Sequence, residues 1–169
     1  MDATWRAEGG APSFAALQEC DLLLGCIYEA LRLFPTVPMT AKILDADREV
    51  AGVRLRKGTA VAANKAGVAA MPSCFPEPDK FDPSRFRRNE HGKHGANMHA
   101  FGGGPRACVG LRLAELEMLS ILAHVLRHFR LTPVEHDAPV EHADVTNGPK
   151  HSGLRLVLAL REENPLLPN

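Results

Sequence analysis

Four of the ten residues in FGGGPRACVG, positions 101–110, are glycine, one is proline and one is cysteine. No other stretch restricts the fold as much. Such a run cannot be the interior of a regular helix or strand. Glycine also reaches backbone conformations closed to other residues, so a tight, fixed turn is expected around Gly102 and Gly104. Directly behind it, Leu111, Ala114, Met118, Leu122, Val125 and Phe129 step by three or four along one helix face. Leu116, Leu119, Ile121 and Leu126 widen that surface, which predicts a deeply buried helix. The turn therefore delivers Cys108 to a helix start, where unpaired amide groups carry partial positive charge. Such surroundings favour thiolate over thiol. Arg106, two residues upstream, can neutralise a nearby anion. Together these features describe a sulfur anion in a fixed cradle with one side open.

The rest of the chain reads as helices and small antiparallel sheets, an α+β class. Ser13 can cap a first short helix, and a second runs from Cys20 or Asp21 to Leu33. Pro35 ends it, because the residue before a proline is pushed out of the α region. MTAKIL, from Met39, is a strand. VRLRKGTAVAAN, from Val53, reads as a hairpin turning at Lys57-Gly58. Four prolines between Met71 and Phe86 exclude regular structure there, and RRNEHGKHGANMH is a polar loop. Near the end, Leu154, Leu156, Leu158 and Leu160 alternate as in a half-buried strand. The 169 residues suit a single domain, 1–169.

Composition removes several function classes. Lysine plus arginine equals aspartate plus glutamate at 20 each, which argues against nucleic-acid binding. No apolar run reaches 18 residues, so no transmembrane span is expected. MDATWRAEGG lacks the basic-then-apolar order of a signal peptide. Cys20, Cys26 and Cys74 are scattered and read as reduced thiols. His91, His94 and His99 lie in a polar loop and read as solvated. His124 and His128 have a zinc-compatible spacing but no third ligand beside them, and read as helix-flank residues.

A glycine-rich turn with an incidental cysteine would share this composition. Here, however, Phe101, Gly104, Arg106, Cys108 and Gly110 fill the pattern Phe-x-x-Gly-x-Arg-x-Cys-x-Gly. That loop resembles the cysteine loop of the cytochrome P450 family. YEALRL, LRLFPTVP and FPEPDKFDPSRF resemble further segments of the same family in the same order, and the likeness runs from about Phe14 to Leu160. It implies the C-terminal part of the cytochrome P450 fold. It further implies haem b (iron protoporphyrin IX), with Cys108 as axial thiolate and metal ligand. Phe101, Gly102, Gly104, Arg106 and Gly110 then line the cofactor, with Arg106 toward a propionate and Phe101 beside the sulfur. Taken alone, Glu29 and Arg32 are three apart on a helix and could be a surface ion pair. The resemblance instead implies that both meet Arg85 and pin the proline-rich segment. Lys42 stands where the family often carries a basic propionate contact, usually arginine. NKAGVAAM, from Asn64, departs from the family's usual His-Arg-Asp type of sequence at that place.

The implied activity is a haem- and iron-binding monooxygenase. One oxygen atom of dioxygen enters a small organic substrate, and electrons come from an NADPH-dependent reductase or a ferredoxin. Arg87, Arg88, Lys93 and Arg112 could face such a redox partner. The likeness covers only the last third of the family's length, so the distal oxygen-binding helix, the substrate-access loops and any membrane anchor would lie in an N-terminal part. An inactive remnant, or a part that needs a complementary N-terminal chain, is the alternative. A peroxide-using haem-thiolate relative fits less well, since such relatives often carry an insertion in the cysteine loop and this loop is intact. Compartment follows the type: endoplasmic reticulum membrane for a microsomal relative, cytoplasm for a bacterial one.

Overall fold

In the computed structural model, residues 13–87, 99–134, 140–143, 146–149 and 155–161 are described. Helix α1 (Phe14–Gln18) starts where Ser13 accepts a hydrogen bond from the Ala16 amide at 3.3 Å. Helix α2 (Asp21–Leu33) carries Asp21 in its first turn and Arg32 in its last, both suited to the helix dipole. It ends ahead of Pro35, as predicted. The longest helix, α4 (Leu111–His128), packs against both. Leu17 of α1, Leu23 and Ile27 of α2, and Leu119 and Ala123 of α4 form the apolar core.

The expected deep burial of α4 does not hold among the described residues. Its buried row is Glu115, Leu119, Ala123 and His128, while Leu113, Leu116 and Ile121 face outward. Helix periodicity shows that an apolar stripe exists. Which residues of a broad stripe are covered depends on where α1 and α2 dock. Phe129, expected on the helix face, instead opens strand β5 (Phe129–Pro133).

Strands form at Met39–Ile43, Val53–Leu55, Ala60–Asn64 and Leu156–Leu160 as expected, but four others among the described residues were not anticipated and one expected pairing does not occur. β3 (Val53–Leu55) does not pair with β4 (Ala60–Asn64). Instead β2 (Arg48–Val50) pairs with β3, and β1 (Met39–Ile43) pairs with β4, both antiparallel. Ala51 (φ 49°) and Gly52 (φ 78°) both lie in the left-handed region, which makes the two-residue turn that folds β3 back on β2. Asp47 secures this knot by accepting from the Lys57 amide at 2.8 Å. Gly58 N–H then donates to the Leu44 carbonyl, leading the chain back alongside β1.

A short helix that the sequence reading missed, α3 (Lys65–Ala69), is capped by Asn64, whose side chain accepts from Gly67 N–H. The proline-rich segment is irregular as expected, apart from a 3-10 turn at Pro83–Phe86 that packs on α2. β6 (Val140–Ala143) and β7 (Thr146–Pro149) form a hairpin tied to the exit of α2. Asn147 donates from its backbone to the Thr36 carbonyl and from its side chain to that of Pro35. β8 (Leu156–Leu160) pairs with β5 but is exposed along its whole length, not half-buried. Alternating leucines mark a strand; a two-stranded sheet still buries a face only if something packs on it. Leu154 lies outside the described residues.

Candidate functional site

The loop ahead of α4 is built on left-handed glycines, with φ +74° at Gly102 and +66° at Gly104. Gly103 is extended at φ −156°, a conformation open to any residue. The loop closes on itself: Gly102 N–H donates to the His99 carbonyl, Ala107 N–H to Gly104, and Cys108 N–H to Phe101 at 2.8 Å. Pro105 sits in the first turn of a 3-10 helix, Gly104–Arg106, where its fixed φ is an asset. Cys108 is exposed at the end of this scaffold, with the half-buried Phe101 behind it and Arg106 exposed beside it. A Cβ built on Gly110 would stand 3.8 Å from the Cys108 Sγ, so glycine leaves that side of the sulfur open. A single soft donor on a rigid loop with an uncovered face fits a metal bound to a flat ligand.

A second cluster lies on α2. Glu29 is fully buried, and Arg32 forks onto it with Nε and Nη2, each at 2.8 Å. Arg85, from the 3-10 turn, donates through Nε at 3.3 Å, and the Asp82 amide adds a bond at 2.9 Å. The guanidinium groups also hold backbone: Arg32 donates to the Ala69 and Lys80 carbonyls, and Arg85 to Glu77. Arg32 further lies over the Phe75 ring at 5.2 Å. The three residues predicted to converge therefore do, and they clamp the irregular segment 69–85 onto α2. Hydrogen bonds from Ser84 hold the Asp82 carboxyl below the usual range, against a smaller opposing effect of burial.

Sequence reading missed a pair that joins these regions. Tyr28 donates its hydroxyl to Glu115, a carboxylate only 6 % exposed on α4. Arg112, one of the cations that could face a redox partner, donates to the same carboxylate at 3.1 Å from a largely exposed position. Burial, and then the Glu115 carboxylate, push the Tyr28 pKa well above the usual tyrosine range. One signal was present: Glu115 sits four residues before Leu119 and eight before Ala123, in the row that becomes buried.

Other candidates are placed apart from these clusters. Lys42 is exposed on β1, opposite Val61. Arg87 and His99 are exposed; Arg88, Lys93, His91 and His94 lie outside the described residues. His128 is buried with its ring 4.6 Å from that of the exposed His124. Cys20, Cys26 and Cys74 are free and half-buried, and burial raises the Cys26 thiol. Among the described residues no helix is long and apolar enough to cross a membrane.

Comparison with known proteins places the chain. The family model described as cytochrome P450 matches residues 2–154. A probable cytochrome P450 4s3 of Drosophila melanogaster is 35% identical over 138 residues, covering 82% of this chain and 28% of the relative. The mitochondrial 25-hydroxyvitamin D-1 alpha hydroxylase of Homo sapiens is 37% identical over 129 residues, covering 76% and 25%. Among solved structures, the cytochrome P450DA heme domain superposes with a TM-score of 0.79 at 28% identity, covering 94% of this chain and 36% of that one. The chain thus spans about a quarter of the length of these curated relatives.

Proposed function

This chain belongs to the cytochrome P450 family, and on that premise we propose that it is the thiolate-bearing C-terminal part of a haem-dependent monooxygenase. The observation that carries the reading is the rigid, left-handed-glycine loop that presents an exposed Cys108 at the head of α4 with Gly110 leaving one side of the sulfur open. Cys108 would hold iron of haem b as its axial thiolate. Phe101, Gly102, Gly104 and Gly110 would line the sulfur side, and Arg106 and Lys42 would reach for propionates. Glu29, Arg32 and Arg85 touch no cofactor in this reading; they hold the segment that leads toward the loop. When bound, thiolate-ligated haem supplies activation of dioxygen, one atom entering a small organic substrate and the other leaving as water. Electrons would come from a reductase or ferredoxin.

A specific observation favours a second reading, in which the chain works only with a complementary N-terminal segment. Met39 and Ile43 on β1, and Leu156, Leu158 and Leu160 on β8, are 39–74 % exposed. Two-stranded sheets with such faces are marginal in water and gain by being covered. The deciding experiment reconstitutes the full chain with haem, reduces it and adds carbon monoxide. The long-wavelength Soret band of thiolate ligation is expected, and its loss in Cys108→Ala. A wild-type chain that binds haem without that band sinks the assignment of Cys108. A band that forms only after the N-terminal segment of a P450 haem domain is added supports the second reading.

A further inference from the structure

Half-buried Tyr28 and buried Glu115 have no place in the ligand loop or the ion cluster, yet each stands on a helix that carries one of them. Tyr28 immediately precedes Glu29, and its ring lies 5.9 Å from that of Phe86, the residue after Arg85. Glu115 stands one turn into α4, on the helix that Cys108 introduces. We propose that Tyr28 and Glu115 are a positioning pair: their hydrogen bond ties the register of α4 to α2, and so fixes where the Cys108 loop stands relative to the Glu29, Arg32 and Arg85 cluster. Its consequence for cofactor binding rests on the haem reading above.

The apolar core alone does not set that register. Leu23, Ile27, Leu119 and Ala123 hold the two helices together through contacts without directional preference. A helix rises about 1.5 Å per residue, so a one-residue slip would move Cys108 by about that much. A hydrogen bond to a buried carboxylate is directional and is lost on such a slip. Loss is costly, because it removes the partner of one oxygen of a carboxylate that is only 6 % exposed. Fixing register is the best-attested use of buried polar groups in packed helices. Arg112 also holds Glu115, but from three residues away on α4 itself, so its ion pair survives a slip of α4 along α2 and cannot fix the register.

The test uses the full chain with Tyr28→Phe, Glu115→Leu, Glu115→Gln and the double variant Tyr28→Phe/Glu115→Leu. Tyr28→Phe keeps the ring on Phe86 and removes only the hydroxyl. Glu115→Gln keeps an oxygen that can accept it. Amide hydrogen exchange over 110–114 is read first. Tyr28→Phe and Glu115→Leu should each speed it by about tenfold, the scale of one hydrogen bond to a charged group. Glu115→Gln should stay within about threefold of wild type, and the double variant should exchange no faster than either single. In haem-loaded protein, the thiolate carbon monoxide band should weaken in the same two single variants and persist in Glu115→Gln. Unchanged exchange in Tyr28→Phe overturns the pair, as does a Glu115→Gln variant as perturbed as Glu115→Leu. Exchange that shifts as expected, in a chain whose wild type shows no thiolate band, upholds the pair and removes the haem reading instead.

Discussion

Replacing Glu29 by glutamine changes one heavy atom and should remove a substantial share of the stability of the fold. The carboxylate is fully buried and accepts four hydrogen bonds: two from Arg32 at 2.8 Å, one from Arg85 at 3.3 Å and one from the Asp82 amide at 2.9 Å. Arg32 and Arg85 are themselves only 2 % and 6 % exposed. Glutamine keeps the volume, removes the charge, and turns an NH₂ donor toward groups that can only donate. Breaking a buried ion pair from one side costs about 3–5 kcal/mol, because the surviving charge stays buried. Bonds from both guanidinium groups to the Ala69, Lys80 and Glu77 carbonyls persist, which places the cost near the lower bound, about 3 kcal/mol. Single domains hold only about 5–15 kcal/mol in total. Urea unfolding followed by far-UV circular dichroism measures the effect. With a slope of about 2 kcal/mol per molar, the midpoint should fall by about 1.5 M at unchanged slope. A fall under about 0.5 M would refute the claim that the charge is uncompensated without Glu29. The triple change Glu29→Leu, Arg32→Met, Arg85→Met, which leaves no charge behind, should cost less than Glu29→Gln alone.

Three further outcomes follow from the geometry. Gly25→Ala puts a Cβ 2.4 Å from the Pro83 carbonyl oxygen, a backbone atom that cannot rotate aside. Overpacking should outweigh the helix preference of alanine and destabilise by about 1 kcal/mol or more, whereas a stabilised variant would show that α2 and the 3-10 turn separate freely. Ala51→Asn places a residue tolerant of left-handed backbone before Gly52 in the β2–β3 turn, and should raise the urea midpoint by an amount equivalent to about 0.5–1 kcal/mol. Tyr28 is the only tyrosine, so tyrosinate absorbance reports it alone. Its pKa is raised in the folded state, so its contribution is fully present below the unfolded value of about 10 and is lost as pH rises above it. Tyr28→Phe should flatten the alkaline limb of the stability curve, and tyrosinate formation at an ordinary pH in the folded chain would contradict the buried contact with Glu115.

Much of what the chain is could be taken from the sequence by itself. The spacing of Phe101, Gly104, Arg106, Cys108 and Gly110 identified the family, Ser13 marked the start of α1 and Pro35 the end of α2, because such features act within a few residues of chain. The convergence of Glu29, Arg32 and Arg85 was expected from resemblance, since half of it is a local helix spacing. Tertiary structure alone decided the rest. Alternation in Val53–Leu55 and Ala60–Asn64 marked strands but not partners, because pairing depends on the backbone of a two-residue turn at Ala51-Gly52 and on which edge is free. The apolar stripe of α4 was visible, but the row actually covered contains a glutamate, because docking of α1 and α2 rotates burial to Glu115, Leu119 and Ala123. The link from Tyr28 to Glu115 spans 87 residues, and no periodicity reaches that far; only packing brings a hydroxyl and a carboxylate together across two helices.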